Sequence, residues 1–199
     1  MPNKEIEVLT KRRTHYALSN TLPLPQDEVD ALIREAIRLA PSSFNSQSSR
    51  AVILFGAESV KLWNIIRETL RKIVPAEAFA STDKKMDSFA AGAGTVLFFE
   101  DSDTIAKLQE QYPLYADNFP IFSEQSAGMA QLAVWSALSE AGIGGSLQHY
   151  NPLPDMEIAA TWDLPASWKL RAQMPFGVPV AEPGPKSFVD DATRFKTFG

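Results

Sequence analysis

The sequence contains no cysteine and only two histidines, His15 and His149. The first absence removes disulfides, thiolate nucleophiles, iron–sulfur clusters and cysteine-ligated zinc together. The second leaves little for a transition-metal site, because neither histidine belongs to an H-x-x-x-H pair. No G-x-S-x-G segment occurs, so the nucleophile elbow of the α/β hydrolases is missing. No G-K-[ST] triplet occurs, which removes a Walker P-loop. Charge of one sign is also scarce: the formal net charge is −5, with no long block of like charge. A nucleic-acid binder normally shows a basic face, and nothing here builds one. No apolar run approaches the roughly 20 residues that span a bilayer. The polar start, Met1-Pro2-Asn3-Lys4-Glu5, lacks the apolar core of a secretory signal. These absences predict a cytoplasmic protein with no nucleic acid, membrane or metal partner. If it is an enzyme, its chemistry comes from a bound organic cofactor.

What is present reads as one globular domain over residues 1–199, with 45% hydrophobic and 22% charged residues. The most polar uncharged run is Ala40-Pro41-Ser42-Ser43-Phe44-Asn45-Ser46-Gln47-Ser48-Ser49-Arg50. It follows a strongly periodic stretch, Val29, Leu32, Ile33, Ala36, Ile37 and Ala40, which predicts an amphipathic helix opening near Gln26–Glu28. It precedes Ala51–Phe55, an uninterrupted apolar run that predicts a central strand. Hydroxyl and amide side chains offer donors and acceptors without fixed charge, which suits a neutral heterocycle. The same composition also fits an ordinary loop.

Other segments repeat this ambiguity. Arg12-Arg13-Thr14 follows a short helix at Ile6–Leu9. The two guanidinium groups can grip a phosphate with the hydroxyl as a neutral donor. An exposed basic patch reads the same way. Gly142 is placed to end a helix in the left-handed region. Ile143-Gly144-Gly145-Ser146-Leu147-Gln148-His149-Tyr150-Asn151-Pro152 then gives a glycine-rich segment that lets backbone approach a planar ligand, or simply connects two elements. The Gly92-Ala93-Gly94 segment precedes a strand, Thr95–Phe99, rather than following one. It is therefore a turn and not a dinucleotide fingerprint.

The remaining elements follow from pattern. Glu58–Lys72 predicts a helix with Leu62, Ile65, Ile66, Thr69 and Ile73 on one stripe and Trp63 beside it. Pro75–Phe79 is a connector, and the residues from Lys84 to Gly94 lead into the second strand. Glu100-Asp101-Ser102-Asp103 predicts an exposed helix start running to Gln111. Tyr112–Phe122 is aromatic and fits either core or lid. Ser123 is the expected N-cap of a helix over Glu124–Ala141, small and apolar around most of its girth, hence buried on several sides. A short helix at Asp155–Trp162 and a strand at Ser167–Met174, paired with the Val52 or the Val96 strand, complete the core. From Ala181 the chain reads as a proline-rich tail.

In this order the motifs resemble the FMN-dependent nitroreductase family. The resemblance covers nearly the whole chain. Pro41-Ser42-Ser43-Phe44-Asn45-Ser46-Gln47 is similar to the family's P-S-S-x-N-x-Q, which lines the flavin ring of the partner subunit. Arg12, Arg13 and Thr14 match a triplet that holds the FMN phosphate and ribityl chain, with Thr for the usual Ser. Pro175-Phe176-Gly177-Val178-Pro179 is close to a P-x-G-x-P turn. Lys186 matches a phosphate-binding lysine of a K-x-R motif. Phe188 stands where the arginine is expected, which makes Arg194 the candidate replacement. The fuller segment ending Ser146-Leu147-Gln148-His149-Tyr150-Asn151-Pro152 looks like that of a branch of small nitroreductase-like proteins of bacteria and fungi, whereas many better-studied members of the family carry Glu-Gly where His149-Tyr150 falls.

The resemblance implies an α+β fold with a central, mostly antiparallel sheet flanked by helices, and an intertwined homodimer with an exchanged tail from about residue 181. The implied FMN contacts are Arg12, Arg13, Thr14, Pro41, Ser42, Ser43, Asn45, Gln47, Gln148, His149, Lys186 and Arg194. The implied activity is ping-pong hydride transfer through flavin N5, from NADH or NADPH to a nitroaromatic, a quinone or a related acceptor. No side chain is required as a catalyst, with His149 and Tyr150 as the candidate proton donors. The alternative is an FMN-binding regulatory or flavin-buffering protein without turnover.

Overall fold

The computed structural model describes residues 3–199; Met1 and Pro2 of the polar N-terminal stretch lie outside the described residues. The fold is α+β. Four strands, β1 (Ser49–Phe55), β2 (Gly94–Asp101), β3 (Gly144–Gly145) and β4 (Trp168–Gly177), form one sheet in the order β1-β2-β4-β3. Every pairing is antiparallel, and β4 takes the Val96 strand as its partner. Eight α-helices surround the sheet among the described residues: α1 (Lys4–Lys11), α2 (Gln26–Leu39), α3 (Gly56–Arg71), α4 (Phe79–Ala90), α5 (Ser102–Gln111), α6 (Phe119–Glu140), α7 (Asp155–Thr161) and α8 (Asp191–Arg194).

Alternation along β2 explains the layering. Successive side chains of a strand point to opposite faces. Leu97 and Phe99 join Leu62, Trp63, Ile66, Met86, Phe89 and Ile158 in one core, under α3, α4 and α7. Val96 and Phe98 join Val29, Ile33, Val134 and Leu138 in a second core, under α2 and α6. Both faces of β2 are therefore covered, and all eight of its residues are buried. The glycine-rich segment after α6 returns as the two-residue strand β3. The strand β4 runs three residues past its predicted end, to Gly177, because pairing with Gly94, Thr95, Gly144 and Gly145 continues.

Four expectations are corrected. Helix α6 begins at Phe119, not after a Ser123 cap, because Pro120 is accommodated in its first turn, where a missing N–H costs no intrahelical bond. Ser123 instead points its hydroxyl inward. Phe79–Ala90 form α4, where the sequence predicts only a connector ending at Phe79 and a lead-in from Lys84, because Phe79, Met86 and Phe89 give that segment a face to bury against α3. Ile73 is exposed beyond the end of α3, and Leu70 takes its place in the stripe. Glu100 is not part of an exposed helix start: it belongs to β2 and is buried, and only Asp101 caps α5, accepting from the Asp103 N–H.

Candidate functional site

The end of α1 and the start of the tail face each other across a cavity of about 610 Å³. The register of the chain creates it. The Thr14 backbone bridges to Gly145 of β3, and the His15 N–H donates to the Gly145 carbonyl at 3.0 Å. The next residues run antiparallel to the exit of β4, with Ser19 N–H to Val178 O at 2.9 Å and Val180 N–H to Ala17 O at 3.1 Å. Closeness is required at this seam. A Cβ on Gly177 would lie 2.1 Å from the Ser19 carbonyl oxygen, and one on Gly144 would lie 2.6 Å from the Pro179 ring. Glycine is therefore demanded by contact, not by backbone angle.

The cavity is cationic. Arg12, Arg13 and Lys186 line it, against the single carboxylate of Glu182, together with the hydroxyls of Thr14 and Ser187. Arg12 lies over the Trp135 ring of α6, 4.3 Å from the centroid, a stacking that fixes its plane. Burial, and then the neighbouring Arg13 charge, lower the Arg12 pKa from its ordinary value, so an anion arriving here relieves a repulsion already present. Arg13 donates to the Gly184 carbonyl at 2.6 Å and so ties the tail to the cavity wall. His15 adds a buried Nδ1 without a partner among the described residues.

A second, smaller cavity of about 160 Å³ lies at the end of α2, lined by Pro41, Ser42 and Gln47 with Ser126 and Ala130 of α6. The loop that forms it is unusual in its backbone. Phe44, Asn45 and Gln47 have φ of 57°, 49° and 48°. For residues other than glycine, each such conformation costs about 1–2 kcal/mol. The loop is held by its own short contacts: Ser42 Oγ accepts from the Gln47 N–H at 3.0 Å, and Ser126 Oγ accepts from the Ser43 N–H at 3.3 Å. Phe44 packs against Tyr112, Tyr115 and Phe119, with centroids 5.0–6.0 Å apart, so the aromatic segment before α6 backs this loop.

The predicted residues thus separate into groups. Arg12, Arg13, Thr14 and Lys186 converge on the large cavity; Pro41, Ser42 and Gln47 converge on the small one. Ser43 contributes its backbone, and Asn45 is exposed at the loop tip and lines neither. Gln148 is buried, exchanging backbone bonds with Gln173 of β4 and donating to Ser146 Oγ at 3.0 Å. His149 is exposed and lines neither cavity. Tyr150 packs edge-on against Trp63 and Phe89, and burial pushes its phenol up to about 12. Arg194 lies in α8 over Phe195 and is not brought to Lys186 within one chain. Sequence reasoning passed over His15, Tyr16 and Glu182, which complete the large cavity. Their signal was adjacency to the basic triplet and to the late lysine.

Residues 9–178 match the Nitroreductase family. The chain belongs to that family. HBN1 of Saccharomyces cerevisiae is 36% identical over 186 residues, which is 92% of each chain. Nitroreductase CinD from Lactococcus lactis, solved in complex with chloramphenicol, superposes with a TM-score of 0.90 at 46% identity, covering 98% of this chain and all of CinD. CinD is also solved with 4-nitrophenol. A nitroreductase with bound FMN from Desulfitobacterium hafniense shares the fold at a TM-score of 0.73 and 17% identity, over the full length of both chains. The nitroreductase fold thus extends over both cavities. Among the described residues, no helix is long and apolar enough to cross a membrane.

Proposed function

We propose that this nitroreductase-family chain binds FMN and reduces nitroaromatic, quinone or related acceptors with NADH or NADPH, working as a homodimer. The observation that carries the reading is the convergence of Arg12, Arg13, Thr14 and Lys186, far apart in sequence, on one cavity. The donor set fits FMN. Two guanidinium groups and an ammonium suit a phosphate dianion, and Thr14 and Ser187 add neutral donors for a polyol chain. The buried, unpartnered Nδ1 of His15 leaves a further polar atom in the same wall.

Bound FMN supplies the two-electron carrier between the nicotinamide donor and the acceptor. The chain's own contributions are binding and orientation. Arg12, stacked on Trp135, and Lys186 neutralise the phosphate. The backbone of Gly145 pairs with Thr14 and His15 and so anchors that part of the cavity wall to β3. No side chain need transfer a proton in this reading, and Tyr150, packed against Trp63 and Phe89 with its phenol raised to about 12, is given no such part. The aromatic acceptor class is supported by CinD, 46% identical, which is solved with chloramphenicol and with 4-nitrophenol.

The homodimer is supported by what one chain leaves undone. The loop cavity and the cationic cavity share no lining residue, which favours reading them as two halves of a site completed by a second copy. A second copy would bring the Ser42–Gln47 loop of one protomer to the cationic cavity of its partner. Helix α6 exposes Met129 and Leu132, which with Val8 and Leu9 of α1 line an apolar groove, and the tail exposes Phe188, Phe195 and Phe198. Those side chains have no core within one chain, and a tail exchanged between protomers would cover them.

The deciding experiment is the absorbance spectrum of the purified protein, with FMN supplied, before and after anaerobic NADH or NADPH. Flavin bands that bleach, and return with 4-nitrophenol, are expected. Bands that persist with both nicotinamides would leave a flavin-buffering protein. No flavin uptake at all would overturn the reading.

A further inference from the structure

The inner end of β2 carries a carboxylate that the flavin reading does not use. Glu100 is 2% exposed and makes no ion pair among the described residues. A buried carboxylate without a cation is costly unless hydrogen bonds replace its water. Here three seryl hydroxyls do so. Ser48 Oγ and Ser123 Oγ donate to Oε2 at 2.5 and 2.7 Å, and Ser49 Oγ donates to Oε1 at 2.5 Å. Ser48 and Ser49 end the left-handed loop, and Ser123 stands on α6, one turn before the Ser126 that receives the Ser43 N–H. The adjacent Asp101 does the same for the other side: Arg50 bridges its Oδ2, at 2.9 Å, to the Gln47 carbonyl, at 2.6 Å. The loop is strained at three residues, yet pinned at its end and from α6.

We propose that Glu100 is a positioning residue: its buried carboxylate gathers Ser48, Ser49 and Ser123 and so holds the Ser42–Gln47 loop in the conformation presented to the flavin. Backbone strain persists only where surrounding contacts over-determine it, and these hydroxyls are such contacts. Charge-assisted bonds are the strong ones available to a serine-rich segment. An ionised carboxylate accepts from all three hydroxyls at once, whereas an amide forces at least one to reverse. The contribution to flavin binding rests on the FMN reading above; the conformational role does not.

The test compares Glu100→Ala and Glu100→Gln with the parent protein by hydrogen–deuterium exchange without cofactor, and by FMN titration. In the alanine variant, exchange over residues 42–49 should rise about tenfold or more, and less in the glutamine variant. Exchange in α3, on the opposite face of the sheet, should not change. The FMN dissociation constant should rise about tenfold in the alanine variant, with an altered flavin band shape. Loop exchange that stays at the parental rate would overturn the proposal, and so would a rise shared equally by α3, which marks global destabilisation only. If the alanine variant does not fold, the glutamine variant decides by the same loop-against-α3 comparison. A parent protein that takes up no FMN sinks the flavin reading, while the exchange comparison still decides the role of Glu100.

Discussion

At the scale of single residues, the candidate site is a problem in charge. Arg12 and Arg13 adjoin each other and face Lys186, and the lowered Arg12 pKa, from burial first and Arg13 second, records the strain. Removing either gripping charge should therefore weaken anion binding more than it disturbs the fold. Arg12→Ala and Lys186→Ala are each expected to raise the FMN dissociation constant about tenfold or more, read by flavin fluorescence titration, with a shallower salt dependence. Tyr150 tests the opposite case. Its ring is packed with Trp63 and Phe89 and its phenol is pushed up to about 12. Tyr150→Phe should leave the pH–rate profile unchanged between about pH 6 and 9, since a phenol with a raised pKa stays protonated there. Tyr150→Ala should cost about 2 kcal/mol of stability in a urea melt, from lost packing. The Arg12–Thr14 triplet and the Pro41–Gln47 stretch stood out by residue type, each with an ordinary surface reading beside it, and Lys186 stood out only through the family resemblance. Glu100 did not, because an acid at the end of an apolar strand reads as an exposed helix start until its three hydroxyl partners, from the loop, β1 and α6, are seen.

At the scale of elements, the amphipathic helix α2 was readable from periodicity, since a single buried face leaves a repeating pattern, and β1 and β2 from short uninterrupted apolar runs, whereas the two-residue β3 left no such signal. Helix α4 was not readable either, because its three buried residues are spread across Phe79, Met86 and Phe89 amid charged neighbours. The start of α6 was misread because serine is a strong cap and proline a common breaker, yet proline within the first turn is tolerated and Ser123 had a buried partner to satisfy. The junction of β2 and α5 carries a pH prediction. Burial acts to raise the Asp101 pKa, but hydrogen bonds from Thr104 and Ser167, with the Arg50 charge, outweigh it and leave the pKa lowered. A carboxyl with a lowered folded-state pKa contributes stability above its unfolded value of about 3.9 and loses it as pH falls through the folded value. Asp101→Asn should therefore lower the melting temperature near neutral pH, and the gap to the parent protein should close below about pH 4. A gap that stays constant across this range would contradict the ionised Arg50–Asp101 contact.

At the scale of the whole molecule, the two cavities and the exposed apolar faces make the protomer look like half of a larger object. If the proposed homodimer forms through this face, Leu132→Glu, on the exposed face of α6, is expected to give a folded monomer by sedimentation velocity and to lose most of its FMN affinity. A monomeric parent protein with full flavin binding would contradict that. The seam beside the cationic cavity is made of main-chain bonds between residues 17–21 and residues 178–180, and Arg13 holds the Gly184 carbonyl across 171 positions of sequence. On a ribosome, the first wall is therefore made early and waits through the synthesis of the whole sheet for the second. A nascent chain stalled before Val178 has its arginines but no pocket, so capture of the cofactor belongs to the finished polypeptide and not to the growing one.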